Sequence, residues 1–263
     1  MAGQKIIVAS SKGGVGKTTV SLGVAEALTS LGKTVLLCDL DFENRCLDLF
    51  MGIENAAFYN VADIVLSDVP PEKAVIGNGR GLYFLAAPAG VGLSETKKDG
   101  SVTTDELTDA LKKTVDVFDV DFVIFDTGTG KAVPLALAGA FPGSKALVVA
   151  SHQAASTRAA ESTASLLEKH GVIEARLVIS SYEPKEAAKQ ERSGLIDIID
   201  SSRVRLIGVI PYDRSLMLSH ERGVKPSPDS PAAAAFRNTA ARICGKSVRL
   251  FDGIPSVNRK KII

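Results

Sequence analysis

A glycine-rich segment near the N-terminus lies between an apolar run and the pattern of an amphipathic helix. The run, Lys5–Ala9, predicts a buried strand, and the apolar positions of Val20–Leu31 share one face of a helix. Residues 9–19, which join them, read Ala-Ser-Ser-Lys-Gly-Gly-Val-Gly-Lys-Thr-Thr. Glycines at such a junction let the backbone curl until its N–H groups point inward, toward the positive end of the helix. This layout predicts a phosphate-binding loop rather than a structural turn.

Two side chains of this loop carry the expected chemistry. Lys17 supplies a movable cation for β- and γ-phosphates, and the Thr18 hydroxyl can hold Mg²⁺. The strict motif has glycine where this chain has Ser11, and a second lysine, Lys12, stands at the start of the loop. The loop residues expected to contact a nucleotide are Gly13, Gly14, Val15, Gly16, Lys17, Thr18 and Thr19.

Apolar runs alternate with helical patterns along the rest of the chain. Most runs are continuous in Val, Ile and Leu, as expected of parallel strands that are covered on both faces. The further predicted strands are Thr34–Cys38, Leu82–Ala86, Phe122–Phe125, Ala146–Ala150, Ala175–Ser180 and Val204–Ile210. The further predicted helices are Val61–Leu66, Thr104–Val117, Ala132–Ala140, Ser156–His170 and Leu195–Ile199. We therefore expect an α/β protein with a doubly wound, mostly parallel sheet, helices on both faces and the ligand at the carboxyl ends of the strands.

The chain shows no internal repeat or linker that would divide it. We expect one domain over residues 1–245, followed by a C-terminal tail over residues 246–263. The polar segment Leu93–Thr104 predicts a mobile surface loop.

Composition excludes several classes of protein. The 31 basic and 30 acidic side chains nearly cancel, so the net charge does not recruit nucleic acid. The cysteines form no C-x-x-C pair, which suits reduced thiols; they are Cys38, Cys46 and Cys244. The longest apolar stretch, Ala132–Ala150, contains two prolines and a lysine, and predicts helix, turn and strand rather than a membrane span. Because the N-terminal run is also too short for a signal peptide, we expect a soluble cytoplasmic protein.

Three carboxylates follow strands that should end beside the loop. Asp39 and Asp41 come after the second strand, and Asp126 ends the run Phe122–Phe125. At this edge Asp39 and Asp41 can orient waters on Mg²⁺ and position an attacking water, and Asp126 can hold a Mg²⁺-bound water opposite Thr18. Gly130 would let a backbone N–H approach the γ-phosphate. From the residues alone, solvated acids in a turn and a strand-capping aspartate remain open as alternatives.

Residues 12–19, Lys-Gly-Gly-Val-Gly-Lys-Thr-Thr, resemble the deviant Walker A motif of the ParA/MinD family of ATPases. This resemblance implies a P-loop ATPase fold over residues 1–245, with ATP, ADP and Mg²⁺ as ligands. It also implies that Lys12 reaches across a nucleotide-sandwich homodimer to the phosphates of the partner subunit.

Residues 39–49 are similar to the first switch segment of MinD proteins, which has two aspartates and then Arg-x-Leu-Asp-Leu. The similarity implies that Asp41 positions the hydrolytic water and that Asp39 is its neighbour on the Mg²⁺ side. Glu43 and Cys46 stand where the family usually has glycine and asparagine. After Asp126, residues 127–130 also lack the proline that relatives show there.

Two later segments resemble those that flank the adenine in the family. Residues 210–213, Ile-Pro-Tyr-Asp, match the Ile-Pro-x-Asp pattern, which implies base-pocket roles for Pro211 and Asp213. Ser180 and Ser181 occupy the place of an expected asparagine.

The C-terminal segment, residues 246–263, mixes five basic residues with apolar ones. It is similar to the short amphipathic helix by which MinD proteins bind membranes, which would place the protein at the inner face of the cell membrane. Gly253 and Pro255 would limit a helix to about two turns, and so favour the alternative of a solvated tail.

The resemblance implies an ATP-dependent dimerisation switch with slow intrinsic ATP hydrolysis, a stimulating protein partner and a role in placing the cell-division site. Chromosome or cargo positioning of the ParA type and a non-hydrolysing ATP-binding scaffold remain alternatives. Iron–sulfur electron transfer would need paired cysteines, which the chain lacks. Nucleic-acid binding is not expected, because no dense basic cluster lies outside the tail.

Overall fold

The computed structural model describes residues 3–94, 96–98, 100–189 and 194–254. The strands in this part of the chain are β1 (Gln4–Ala9), β2 (Val35–Leu40), β3 (Val75–Gly77), β4 (Leu82–Leu85), β5 (Leu93–Ser94), β6 (Val102–Thr103), β7 (Phe122–Thr127), β8 (Lys145–Ala150), β9 (Glu174–Tyr182) and β10 (Leu206–Pro211). The helices are α1 (Lys17–Ser30), α2 (Leu47–Met51), α3 (Val61–Leu66), α4 (Pro71–Ala74), α5 (Thr104–Val117), α6 (Ala132–Ala140), α7 (Ala154–Lys169), α8 (Pro184–Ala188), α9 (Leu195–Ser202), α10 (Arg214–Glu221) and α11 (Pro231–Ile243).

Eight strands form one sheet in the order β10-β9-β8-β1-β7-β2-β4-β3. Neighbouring strands run parallel, except that β3 pairs antiparallel with β4. The central strand β1 pairs with β8 on one side and with β7 on the other. The direction in which successive strands are added to the sheet therefore reverses at β1. In such sheets the ligand crevice opens at the carboxyl ends of the strands beside this reversal. The predicted doubly wound α/β fold is confirmed.

Both faces of the sheet are buried, which explains the continuous apolar runs in the sequence. In β1, Ile6 and Val8 belong to one apolar core, which α1 and α11 cover. Ile7 and Ala9 belong to the opposite core, which α5, α6 and α7 cover. None of the helices in the described segments combines the length and apolar character required to cross a bilayer.

The helices α1 and α11 pack unusually closely. A Cβ atom on Gly23 of α1 would lie only 2.4 Å from the Phe236 ring of α11. Glycine at this position lets the phenylalanine ring lie directly against the backbone of α1. This contact holds α11 against the helix that begins at the phosphate loop.

Among the strands that run past their predicted ends, β2 and β7 matter most for the position of the acidic side chains. The apolar pattern ends the second strand at Cys38, but β2 runs to Leu40, and β7 runs through Asp126 to Thr127. The reason is pairing between the two strands, because Asp39 lies in register opposite Asp126. Both carboxylates therefore project from regular strands and not from the loops that follow.

The segment Leu93–Thr104 departs from the predicted surface loop. Leu93–Ser94 and Val102–Thr103 pair as the short parallel strands β5 and β6. Val102 is fully buried, and Thr103 caps α5 in a reciprocal arrangement with Glu106. Such a capping box fixes where the helix begins, so this end of the segment is anchored to the domain.

Residues 246–254, which the sequence assigned to the tail, lie against the domain. Asn238 Nδ2 donates a hydrogen bond of 2.7 Å to the Asp252 carbonyl, and the Arg242 guanidinium donates to the Val248 carbonyl. Ile254 is buried, and Phe251 packs against the apolar cores. Residues 255–263 lie outside the described residues, and the division at residue 245 stays a prediction.

Candidate nucleotide-binding site

The glycine-rich loop joins β1 to α1 at the carboxyl edge of the sheet. Gly14 and Gly16 have φ of 70° and 90°, a conformation that residues with a side chain rarely adopt. A Cβ atom on Gly16 would also lie 2.6 Å from Ser180 Oγ, so glycine is required here for space as well. Helix α1 has neither a side-chain cap nor an acidic residue in its first turn. Its positive end is therefore left for an anion.

Lys17, the first residue of α1, is only 7% exposed. Burial lowers the pKa of its ammonium group, and the nearby charges of Asp126 and Asp41 oppose that change. A partly desolvated ammonium group beside carboxylates is held close to the place where phosphates would bind. This position agrees with the predicted role of Lys17 at the β- and γ-phosphates.

Asp39 and Asp126 form a buried acidic pair at the carboxyl ends of β2 and β7. Burial raises the pKa of Asp126 to about 6, and the Ser21 and Thr18 hydroxyls and the Lys17 charge offset only part of that effect. Burial and the charge of Asp126 raise the pKa of Asp39 to about 7, although backbone N–H groups of Asp41 and Leu47 donate to its carboxylate. Two carboxylates buried together are costly unless cations neutralise them.

The Asp126 carboxylate has an oxygen that suits a metal ion. Its Oδ1 accepts a hydrogen bond of 2.7 Å from Ser21 Oγ, whereas its Oδ2 is buried without a hydrogen-bond partner in the part of the chain that the structure describes. The Thr18 hydroxyl lies beside this carboxylate and accepts a long hydrogen bond of 3.9 Å from Cys46 Sγ. Hydroxyl and carboxylate oxygens are the donors that Mg²⁺ prefers, so Thr18, Asp126 and Asp39 fit the predicted Mg²⁺ site.

Asp41 lies in the turn after β2 and faces the segment that follows β7. Its Oδ1 accepts hydrogen bonds from the N–H groups of Glu43 and Asn44, at 3.1 and 2.9 Å. A Cβ atom on Gly128 would lie 3.0 Å from the same oxygen, so the two segments are in close contact. A groove of about 360 Å³ runs between them, and Gly130 lines it. The structure therefore brings Asp41 and Gly130 to the same groove beside the loop.

A second cavity, of about 150 Å³, lies on the other side of the loop. Its walls include Thr19, Phe50, Ser180, Ser181, Pro211, Asp213 and His220. Pro211 and Asp213 are thus placed where a base could be bound next to the loop. The Asp213 carboxylate itself accepts hydrogen bonds from the N–H groups of Ser215, Leu216 and Ala232, which cap α10 and join it to α11. The Asp213 carboxylate therefore serves directly to position α10 and α11.

Sequence analysis missed the aromatic wall of this cavity. The rings of Phe50, in α2, and His220, in α10, stack with centroids 4.5 Å apart and an interplanar angle of 17°. Burial lowers the pKa of His220, which favours the neutral imidazole. Beyond this stack, a Cβ atom on Gly52 would lie 2.1 Å from the Gly223 carbonyl oxygen, so the two backbones touch directly. No sequence signal joins these segments, because they are far apart along the chain.

The second lysine of the loop is not directed at this site. Lys12 Nζ donates a hydrogen bond of 2.5 Å to Gln153 Oε1. Gln153 is the residue before α7, at the carboxyl end of β8. Lys12 therefore lies across the mouth of the loop, whereas Lys17 lies inside it. Sequence analysis assigns Lys12 to a partner subunit and does not identify Gln153.

A doubly wound parallel sheet, a glycine loop at the start of α1 and paired carboxylates beside it define a P-loop nucleotide-binding protein. The model of the CobQ/CobB/MinD/ParA nucleotide binding domain family matches residues 6–226. The chain belongs to this family.

Similar proteins agree with this assignment. The septum site-determining protein MinD of Bacillus subtilis is 30% identical over 254 residues, which cover 94% of this chain and 91% of that protein. The MinD protein of Synechocystis sp. is 28% identical, over 96% of this chain and 94% of its own length. A chain of the MinC:MinD cell division protein complex of Aquifex aeolicus superposes with a TM-score of 0.80 at 29% identity, covering 94% of this chain and 98% of that one.

Proposed function

We propose that this protein is a Mg²⁺-dependent ATPase that works as an ATP-dependent dimerisation switch in placing the cell-division site. The observation that carries the ATPase part is the buried Asp126 carboxylate, which interacts with the Thr18 hydroxyl and whose Oδ2 has no hydrogen-bond partner in the described residues. The septum site-determining names of its relatives support the cellular role. These proteins resemble the chain over nearly its full length.

The chain's own residues divide the work of binding ATP. The loop glycines and the first turn of α1 bind phosphate oxygens, and Lys17 offsets their negative charge. Thr18, Asp126 and Asp39 would hold Mg²⁺, which would supply additional positive charge at the phosphates. The cavity beside Pro211 accepts the adenine, against the Phe50–His220 stack.

Asp41 orients the attacking water in this proposal. Its Oδ1 is held in place by two backbone N–H groups, so the carboxylate is fixed before substrate arrives. Contact with Gly128 places it against the second segment that would sense the γ-phosphate. When hydrolysis removes that phosphate, both segments lose a shared contact, and the switch reverts.

Lys12 completes the site of the partner subunit in an ATP-bound homodimer. Its bond to Gln153 is at the surface of the loop and is easily exchanged for a stronger bond to a phosphate. Because Lys17 already lies inside the loop, a second cation at its mouth is available for a phosphate bound to another chain.

Replacing Lys12 with alanine should weaken ATP-dependent dimers about 100- to 10,000-fold, because the symmetric dimer loses two charge-assisted hydrogen bonds of about 1.5–3 kcal/mol each, and should leave monomer ATP binding nearly unchanged. Sedimentation with a non-hydrolysable ATP analogue measures both states. Gln153→Ala is the matched control, because it breaks the same contact but keeps the lysine, and it should dimerise at least as well as the wild type. Unchanged dimers in Lys12→Ala would show that this lysine does not act across the interface.

A partner of the MinC kind is the regulatory protein that we propose. A solved chain that resembles this one comes from a MinC:MinD complex. Two exposed apolar side chains offer contact surface: Leu49, in α2 and at the end of the first switch segment, and Phe58, which follows α2 along the chain. A partner bound there would touch the segment whose position depends on ATP.

Membrane contact through the last residues is also proposed. Residues 246–254 are packed on the domain, so the segment left to meet a lipid surface is 255–263, which ends in Arg-Lys-Lys-Ile-Ile. Each cation near an anionic surface contributes about 1 kcal/mol, and the two isoleucines add apolar burial.

Deleting residues 255–263 should abolish ATP-dependent pelleting with vesicles of phosphatidylglycerol and phosphatidylcholine. Lys260→Gln should weaken binding about fivefold, since it removes one cation. Pure phosphatidylcholine vesicles serve as the neutral control. Equal pelleting of the shortened and full-length chains would exclude this anchor.

A further inference from the structure

A histidine and two glutamates gather outside the nucleotide site, at the carboxyl ends of β8 and β9. One ligand atom from each of His152, Glu183 and Glu186 lies within 4.8 Å of the other two. His152 Nε2 and Glu186 Oε2 are 4.0 Å apart. The nucleotide site as described above uses none of these side chains.

His152 is held rigidly in this cluster. It comes two residues after β8, between Ser151, whose N–H donates to Ser156 Oγ, and Gln153, whose carbonyl accepts from the first turn of α7. The imidazole is 3% exposed, and its ring centroid lies 5.8 Å from that of Tyr182. A buried imidazole in a fixed orientation is a typical metal ligand, because little entropy is lost when it binds an ion.

The two glutamates come from the start of α8. Glu183 is the residue before the helix, and the backbone N–H of Glu186 donates to its carbonyl at 3.2 Å. They are three residues apart and therefore lie on the same side of the first turn. Both are half-buried and lie close to the histidine beyond the carboxyl ends of the paired strands β8 and β9.

We propose that His152, Glu183 and Glu186 form a binding site for a divalent transition-metal ion, with Zn²⁺ as the best match. Ligands that lie about 2.0–2.2 Å from a common ion in a tetrahedral set are about 3.3–3.6 Å apart. The 4.0 Å between His152 Nε2 and Glu186 Oε2 must therefore shorten by about 0.5 Å when an ion binds, and the other ligand pairs, which lie within 4.8 Å, must also close. An imidazole with two carboxylates suits Zn²⁺, whereas Mg²⁺ takes oxygen ligands alone. One water would complete a tetrahedral set.

An ion bound at this site would lie where it can influence Lys12 of the phosphate loop. Gln153, the residue after His152, accepts the hydrogen bond from Lys12. An ion on His152 would fix the segment that holds this lysine at the surface of the loop. The metal site itself does not depend on the proposed ATPase function, and is tested without nucleotide.

The test is calorimetric titration of Zn²⁺ into the chelator-treated full-length chain, with Co²⁺ absorption as a second measure of the ligand set. We expect one Zn²⁺ per chain outside the nucleotide site. Glu183→Gln and Glu186→Gln should each weaken it at least about tenfold, since even residues that only support metal ligands cost about 10- to 100-fold. His152→Gln should do the same, and circular dichroism reports whether that buried variant folds.

Two control variants distinguish binding at this cluster from Zn²⁺ binding elsewhere on the chain. Glu72→Gln changes a glutamate in the first turn of another short helix, α4, and should leave Zn²⁺ affinity unchanged. Asp126→Asn damages the Mg²⁺ site and should leave it unchanged too. The proposal is overturned if one equivalent of Zn²⁺ does not bind, or if binding persists unchanged in both glutamate variants; loss of binding in Asp126→Asn would then place the ion at the Mg²⁺ site. In that case the two glutamates serve only to stabilise the start of α8.

Discussion

Replacing Lys17 with alanine should weaken ATP binding more than about 100-fold, so that binding is lost at micromolar protein. Lys17 can make charge-assisted hydrogen bonds to two phosphates, each contributing about 1.5–3 kcal/mol, and the alanine variant loses both. The metal-free fold should persist, because the variant loses a charge that is itself costly to bury. Calorimetry with a non-hydrolysable ATP analogue and Mg²⁺ measures the loss.

Lys33→Ala is the control for that experiment. Lys33 pairs with Asp121 at 3.0 Å, and both side chains are partly exposed, at the opposite end of the sheet from the loop. Its removal changes the net charge by the same amount and should leave ATP affinity within about twofold, since exposed ion pairs contribute little. If Lys17→Ala binds ATP as tightly as the wild type, the phosphate loop is misassigned.

Replacing Asp41 with asparagine should lower the rate of ATP hydrolysis about 100- to 10,000-fold, the usual contribution of a positioned general base or water-orienting carboxylate. Asparagine retains an oxygen that can accept the bonds from Glu43 and Asn44, so the turn should survive while the negative charge is lost. ATP affinity should stay within a few-fold of the wild type. Phosphate release at saturating ATP, followed over hours, measures the effect.

The neighbouring acid provides the comparison for Asp41. Glu43→Gln alters an exposed carboxylate in the same segment and should retain most of the activity. Equal phosphate release by Asp41→Asn and the wild type would remove this aspartate from the mechanism. If neither protein hydrolyses ATP above background, the chain is an ATP-binding scaffold, and the switch proposal fails with it.

Most of the fold was predictable because strands that are buried on both faces of the sheet have continuous apolar sequences. Continuous apolar runs such as Phe122–Phe125 indicate covered strands, and the glycine loop fixes which strand precedes α1. Helix α11 was missed although Ser230 and Pro231 are an N-cap and a first-turn proline before four alanines. The ends of β2 and β7 were missed because pairing between strands, not local preference, carries them through Asp39 and Asp126.

The candidate site was predictable where its residues are close in sequence. The loop residues, and likewise Asp39 and Asp41, belong to motifs whose chemistry requires these residue types at a fixed spacing along the chain. Gln153 could not be found this way, because its contact with Lys12 joins residues 141 positions apart. Ser21 was also missed, although it lies one helical turn after Lys17 and so faces the same carboxylate. Contacts of this kind exist only after the sheet has assembled.

The touching backbones of Gly52 and Gly223 have a consequence for how the molecule deforms. No side chain separates the two backbones, so their contact cannot be compressed. A rotation of α2, which ends before Gly52, must therefore move α10, which ends before Gly223. The cavity beside Pro211 and the segment after β2 are therefore coupled mechanically through this contact. A bulky residue at either glycine would push α2 and α10 apart and so displace both regions simultaneously.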